Sequence, residues 1–124
     1  MSTPPDTPTT AIVPPDDPHL RWATLYDAPD GVLGVALVHH GYDAPLHHHP
    51  EPETYYLLWG TAQMWRNGRI ESVAAPARIA IPGGSPHALT PTSGFVVLAY
   101  WFPRGPFASI EYTWVDEAPL RARL

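Results

Sequence analysis

Cysteine is absent from this 124-residue chain, which excludes disulfides, thiolate catalysis, cysteine-type zinc sites and iron–sulfur clusters. Lysine is absent as well: all 7 cationic residues are arginines, so Schiff-base chemistry on a lysine is excluded too. Any metal must therefore be held by histidine and carboxylate. The formal net charge of −5 comes without a basic stripe, and the phosphate backbone of a nucleic acid needs one. No segment approaches the roughly 18 to 20 consecutive apolar residues of a membrane span, and the first residues lack the basic-then-apolar pattern of a secretory signal. A cytoplasmic location without membrane or nucleic-acid partners is the expectation.

Helix-breaking residues are abundant instead. Pro 17 and Gly 9 are too many for a helical bundle, while Trp 5 and Tyr 6 favour strands. Residues 1–18 form a Pro-, Thr- and Asp-rich stretch whose main apolar residues are Ile12 and Val13, read as an extended arm. From Leu20 onward, short strand-like runs alternate with turn signals. They are Arg21–Tyr26, Val32–His40, Glu53–Trp59, Ala62–Trp65, Ile70–Val73, Ala77–Ile81, Ala88–Thr90, Phe95–Phe102 and Ser109–Val115. Asn67-Gly68 marks a tight hairpin. Only residues 117–124 could make a terminal helical turn, limited by Pro119. The expected organisation is an arm over 1–18, one all-β domain over 19–116 and a tail over 117–124. So many short strands call for a closed barrel or double sheet, since one flat sheet would leave edges exposed.

The chemistry concentrates in His47-x-His49-x3-Glu53, with His87 following in Pro82-Gly83-Gly84-Ser85-Pro86-His87. In a strand, residues i and i+2 share a face, so His47 and His49 project together while His48 faces away. Pro50-Glu51-Pro52 can turn the chain so that Glu53 returns to the same point, and His87 arrives from a distant strand. Three imidazoles and a carboxylate suit a divalent first-row metal with positions left open. Fe2+ is favoured, with Mn2+, Ni2+, Zn2+ or Cu2+ as alternatives.

Gly41-x5-His47-x-His49-x3-Glu53-x6-Gly60 is similar to the first motif of the cupin superfamily, and Pro82-x-Gly84-x2-His87 resembles the core of the second. The resemblance implies a double-stranded β-helix (jelly-roll) barrel over roughly residues 20–116, with His47, His49, Glu53 and His87 as metal ligands. It departs from the pattern at Pro76, where the second motif usually opens with glycine, and at Pro91, where an asparagine is frequent. Small cupins commonly pair, so a homodimer is expected, with the Ile12-Val13 arm suited to a neighbouring subunit.

Around the metal, an inward Glu53 places Tyr55 and Leu57 on the same face. Tyr55 is the best non-ligand candidate, as a group that orients substrate or moves a proton. Arg78 is a candidate anchor for a substrate carboxylate. Gln63 or Met64, together with Tyr100 and Phe102, are candidate lining residues; Arg21, His39 and His40 are weaker candidates, and Arg66 and Arg69 are expected in solvent. Three functions follow, in order. The first is O2-dependent, dioxygenase-like oxidation of a small organic substrate. The second is non-redox Lewis-acid chemistry in the same pocket, as a lyase, isomerase, decarboxylase or cyclase. The third is a non-catalytic binding module.

Overall fold

Period-two apolar runs build two antiparallel sheets around a shared core in the computed structural model, which describes residues 18–42 and 45–115. The strands are β1 (Leu20–Ala28), β2 (Gly31–His39), β3 (His47–His48), β4 (Glu53–Trp59), β5 (Thr61–Arg66), β6 (Arg69–Ala74), β7 (Ala77–Ile81), β8 (His87–Pro91), β9 (Phe95–Phe102) and β10 (Thr113–Trp114). One sheet runs β1-β2-β9-β4-β7 and the other β10-β3-β8-β5-β6. This is the expected all-β jelly roll: chain neighbours often lie in different sheets, and the inner faces of both sheets supply one core. Except for Pro18, the arm over 1–18 lies outside the described residues, as does the tail over 117–124. No helix among the described residues is long and apolar enough to cross a membrane.

Alternation sets which residues point inward. In β9, Val96, Leu98, Tyr100 and Phe102 are buried, while Val97, Ala99 and Trp101 between them are not. In β4, Glu53 and Leu57 are buried and Tyr56 and Leu58 are exposed. Facing them, Ala62 and Met64 of β5 are fully enclosed. Side chains that leave no gap, among them Val32, Met64, Ile81, Phe102 and Ile110, are at most 1% exposed and form the centre of the core. A fully enclosed aliphatic or aromatic side chain contributes about 1.5–3 kcal/mol relative to exposure.

Two departures from the expected strands have local causes. β1 extends beyond Tyr26 because its pairing with β2 skips a residue between Thr24 and Tyr26. Leu25 drops out of register there, is 64% exposed, and the ladder continues to Ala28. Ser109–Val115 is not one strand. Ser109 closes a 3-10 turn over Phe107–Ser109, with its Oγ donating to the Pro106 carbonyl at 2.7 Å. The strand proper is then limited to Thr113–Trp114, which pairs with β3. The hairpin at Asn67-Gly68 forms as expected, and both residues have positive φ, 54° and 74°, the type I′ geometry that Asn-Gly favours.

One glycine makes room for an aromatic ring. A Cβ on Gly34 would lie 2.1 Å from Cζ of Tyr100, its cross-strand partner in β9. Gly34→Ala is therefore expected to displace the Tyr100 ring and to destabilise the fold by about 1–3 kcal/mol. Urea unfolding reads this, and an unchanged midpoint would contradict the packing described here.

Candidate metal centre

The two sheets meet in a cluster of histidines. β3 is short and lies between β10 and β8, and this places His47 opposite His87 as Cα partners. Their rings lie 4.3 Å apart. The His49 ring, just past the end of β3, is 5.0 Å from that of His87 and 6.0 Å from that of His47. One ring nitrogen from each of the three lies within 4.8 Å of the others, a group that could hold a metal ion. Glu53 enters from β4 in the opposite sheet: its Oε1 is 3.1 Å from His49 Nε2 and 3.3 Å from His87 Nε2. His49, Glu53 and His87 are at most 4% exposed. His48 pairs with Thr113 in the β3–β10 ladder.

Backbone carbonyls set the imidazole tautomers. His47 Nδ1 lies 3.0 Å from the Pro45 carbonyl, His49 Nδ1 2.7 Å from that of Glu51, and His87 Nδ1 2.8 Å from that of Ser85. A carbonyl only accepts, so each Nδ1 carries the hydrogen. In a neutral ring the Nε2 is then a bare lone pair. Those lone pairs converge on a carboxylate, which also only accepts. Such a buried set of acceptors without donors is unstable unless a proton or a metal cation joins it.

Protonation answers part of this need. Burial disfavours charge on His49, but its hydrogen bond to Glu53 and the charge of that carboxylate outweigh it and raise the His49 pKa above 6.5. Burial likewise disfavours the Glu53 carboxylate, yet the hydrogen bond to His49 and the approach of His87 Nε2 at 3.3 Å prevail and bring Glu53 down to about 2. His47 goes the other way: burial, then the proximity of His87, lowers it to about 3, so it stays neutral. His87 Nε2 has no hydrogen-bond partner with acceptable geometry despite being fully buried. The residues thus fit a divalent cation: a carboxylate, imidazoles with fixed tautomers, and a buried nitrogen that a single proton on His49 leaves unsatisfied.

Beside the cluster lies a cavity of about 140 Å3, bordered by His47, Glu53, Tyr55, Tyr100, Tyr112 and Trp114, among others. Tyr55 projects inward two residues beyond Glu53, with its ring 6.0 Å from that of His87. Burial, then the Glu53 charge, raises its pKa well above 10, and burial lifts Tyr100 to about 12. Tyr112 stacks on His47 at 5.2 Å and 14°. At the outer side Trp22, 37% exposed, meets Phe107 at 5.5 Å.

Other candidates stand elsewhere. Arg78 is exposed on β7, where it pairs with outward-facing Tyr56, so it does not border the cavity. Gln63 faces out of β5 and donates to Ser72 Oγ at 3.3 Å. Met64 belongs to the closed core. Phe102 packs edge-on against His49 at 5.1 Å without bordering the cavity. His39 lies against Phe95 at 6.0 Å, away from the cluster. Tyr112, Trp114, Trp22 and Phe107 border the cavity and escaped the sequence reading. The only signal for the first two was the alternation Tyr112-Thr113-Trp114.

No protein-family model matches the chain. A curated relative, dimethylsulfoniopropionate lyase DddW of Ruegeria pomeroyi, is 32% identical over 104 residues, spanning 80% of this chain and 68% of that protein. Among solved structures, the cupin domain of Schizosaccharomyces pombe Cnp3 superposes with a TM-score of 0.66 at 17% identity, over 72% of this chain and 67% of that one. Salicylate 1,2-dioxygenase of Pseudoaminobacter salicylatoxidans superposes with a TM-score of 0.71 at 12% identity, and the match covers 82% of this chain but 30% of that enzyme. With its two facing sheets, its histidine cluster and this relative, the chain belongs to the cupin superfamily.

Proposed function

We propose that this chain is a metal-dependent lyase, with His47, His49, His87 and Glu53 as ligands, which cleaves a small zwitterionic acid such as dimethylsulfoniopropionate by β-elimination. The cavity is the observation that carries this reading. At about 140 Å3 it is close to the roughly 150 Å3 of an engineered cavity that takes benzene. Among the described residues its border contains aromatic rings and aliphatic side chains but no arginine. A substrate carboxylate therefore finds no arginine there among the described residues, whereas a sulfonium head finds aromatic faces, which attract cations by about 0.5–2 kcal/mol each. The 32% identity to a dimethylsulfoniopropionate lyase supports the same substrate class.

A divalent cation at this site supplies a Lewis acid for the substrate carboxylate and acidifies the adjoining C–H bond. The chain's own residues do the rest. Trp22, Phe107 and Tyr100 surround the outer part of the cavity and hold the sulfonium there. Tyr55 is the group placed to accept the proton, and it would do so as the phenolate: burial, then the Glu53 charge, raise its pKa in the metal-free site, and a divalent cation held by the imidazoles and Glu53 would bring it down. In the elimination the proton leaves the carbon next to the carboxylate, the carbon–sulfur bond breaks, and its electron pair leaves on sulfur. The products are acrylate, dimethyl sulfide and a proton. Oxygen chemistry suits the same ligand set, but the dioxygenase likeness at 12% identity is a likeness of fold.

Metal-loaded protein is expected to release dimethyl sulfide and acrylate in equal amounts, at the same rate under argon and in air. Gas chromatography reads this; no release with any of Fe2+, Mn2+, Ni2+, Zn2+ or Cu2+, or a strict need for O2, would contradict it. Tyr55→Phe should lower kcat by about 100-fold or more with metal binding intact, and wild-type turnover in that variant would remove Tyr55 from the chemistry. His49→Ala and Glu53→Ala should each lose stoichiometric metal binding in a chelator competition, whereas full occupancy in both would overturn the ligand assignment.

The pKa directions give a further expectation. His49 is held above its ordinary value, while Glu53 is already ionised and His47 already neutral at neutral pH. Metal binding must displace any proton on His49 Nε2. Proton release on metal binding should therefore decline as pH rises through the raised His49 pKa. Calorimetry in buffers of different ionisation enthalpy measures this; release that grows with pH would contradict it.

A further inference from the structure

The turn between β5 and β6 does more than join two strands. Asn67 Oδ1 accepts a hydrogen bond of 2.5 Å from Ser85 Oγ, 18 residues away. Ser85 is 7% exposed, and its carbonyl is the one that receives Nδ1–H of His87. The segment holding Ser85 is tied to a second histidine as well, because Gly84 N–H donates to the His49 carbonyl at 2.7 Å. It also packs tightly: a Cβ on Gly83 would meet the Pro50 carbonyl oxygen at 2.1 Å. Beside Asn67, Arg66 spans the start of the same segment, with Nη1 donating to the Ala80 carbonyl at 2.6 Å and Nη2 to Glu71 Oε1 at 2.9 Å. The loop between β7 and β8 is thus a bracket between His49 and His87, and the hairpin end clasps it from outside.

We propose that Asn67 is a positioning residue for the metal site, acting through Ser85 to hold the His87 imidazole with Nε2 aimed at the cluster. The inference rests on the metal-site reading above. Its physical basis is that an imidazole binds metal well only when its other nitrogen is held by a fixed partner. Here that partner is a loop carbonyl, so its position depends on what anchors the loop. Asn67 suits both tasks: an asparagine tolerates the left-handed backbone of the turn, where its φ is 54°, and it presents the acceptor that Ser85 needs.

The test uses Co2+ titration of metal-free full-length protein, following affinity and the visible d–d spectrum. Asn67→Gly keeps the turn, since glycine accepts positive φ freely, but removes the acceptor. It should weaken Co2+ binding about 3- to 30-fold, short of or within the roughly 10- to 100-fold typical of direct partners of ligands, and should alter the spectrum. Asn67→Asp retains the acceptor and should stay within about twofold of wild type. Ser85→Ala breaks the pair from its other end and should match Asn67→Gly, with little further loss in the double variant. Unchanged affinity and spectrum in Asn67→Gly or Ser85→Ala, or additive losses in the double variant, would overturn the proposal. His87→Ala separates this from the underlying reading. If wild type binds Co2+ and His87→Ala does not, a silent Asn67→Gly refutes the positioning role alone; if wild type and His87→Ala behave identically, the metal-site reading fails and the proposal with it. Should Asn67→Gly not fold, Ser85→Ala alone decides.

Discussion

The site depends on three backbone carbonyls. Those of Pro45, Glu51 and Ser85 each take the Nδ1 hydrogen of a histidine and so turn the other ring nitrogens into acceptors. Bringing those acceptors together with the buried Glu53 carboxylate creates a need for positive charge, and the raised pKa of His49 answers part of it. A buried polar group without a partner costs about 1–3 kcal/mol, and His87 Nε2 is one. The proposed metal affinity would be built from this mismatch.

The fold divides the work. β3 and β8 of one sheet carry His47 and His87, with His49 just past β3, while β4 of the other sheet brings Glu53 and Tyr55. Because each sheet twists as a unit, the distance between carboxylate and imidazoles is set by how the two sheets pack, and hence by enclosed side chains such as Met64 and Phe102. The last strand completes the wall: β10 lies along β3, and Tyr112, just before it, stacks on His47. Aromatic residues line the cavity and no described arginine borders it, and the proposed cationic substrate rests on that division.

The four candidate ligands were legible in the sequence, since period-two spacing and the Pro-x-Gly-x-x-His segment place His47, His49, Glu53 and His87 on converging elements. So were β4, β7 and β9, whose limits are marked by glycine, proline and unbroken apolar alternation, and the Asn67-Gly68 turn. What stayed hidden depends on partners. Alternation says that Arg78 and Ile79 face opposite ways, but only pairing with β4 shows that Arg78 faces outward. The same holds for Gln63 against Met64. Tyr112 and Trp114 could not be found because two paired residues make β10, too few for a periodic signal. Asn67 was legible as a turn residue, yet its bond to Ser85 comes from the packing of one hairpin against a distant loop.

The central claim is that the three imidazoles are pre-set, with hydrogens on Nδ1 and free Nε2 atoms facing a shared cation. Long-range 1H–15N correlation spectra of the histidine side chains test it most directly. Metal-free protein at neutral pH should show His47 as a neutral Nδ1–H tautomer, and the rings of His49 and His87 should also carry hydrogen on Nδ1. One equivalent of Zn2+ should move the Nε2 signals of all three and leave their Nδ1 signals protonated. Nε2–H tautomers in the metal-free protein, or Nε2 signals that ignore the metal, would contradict the account.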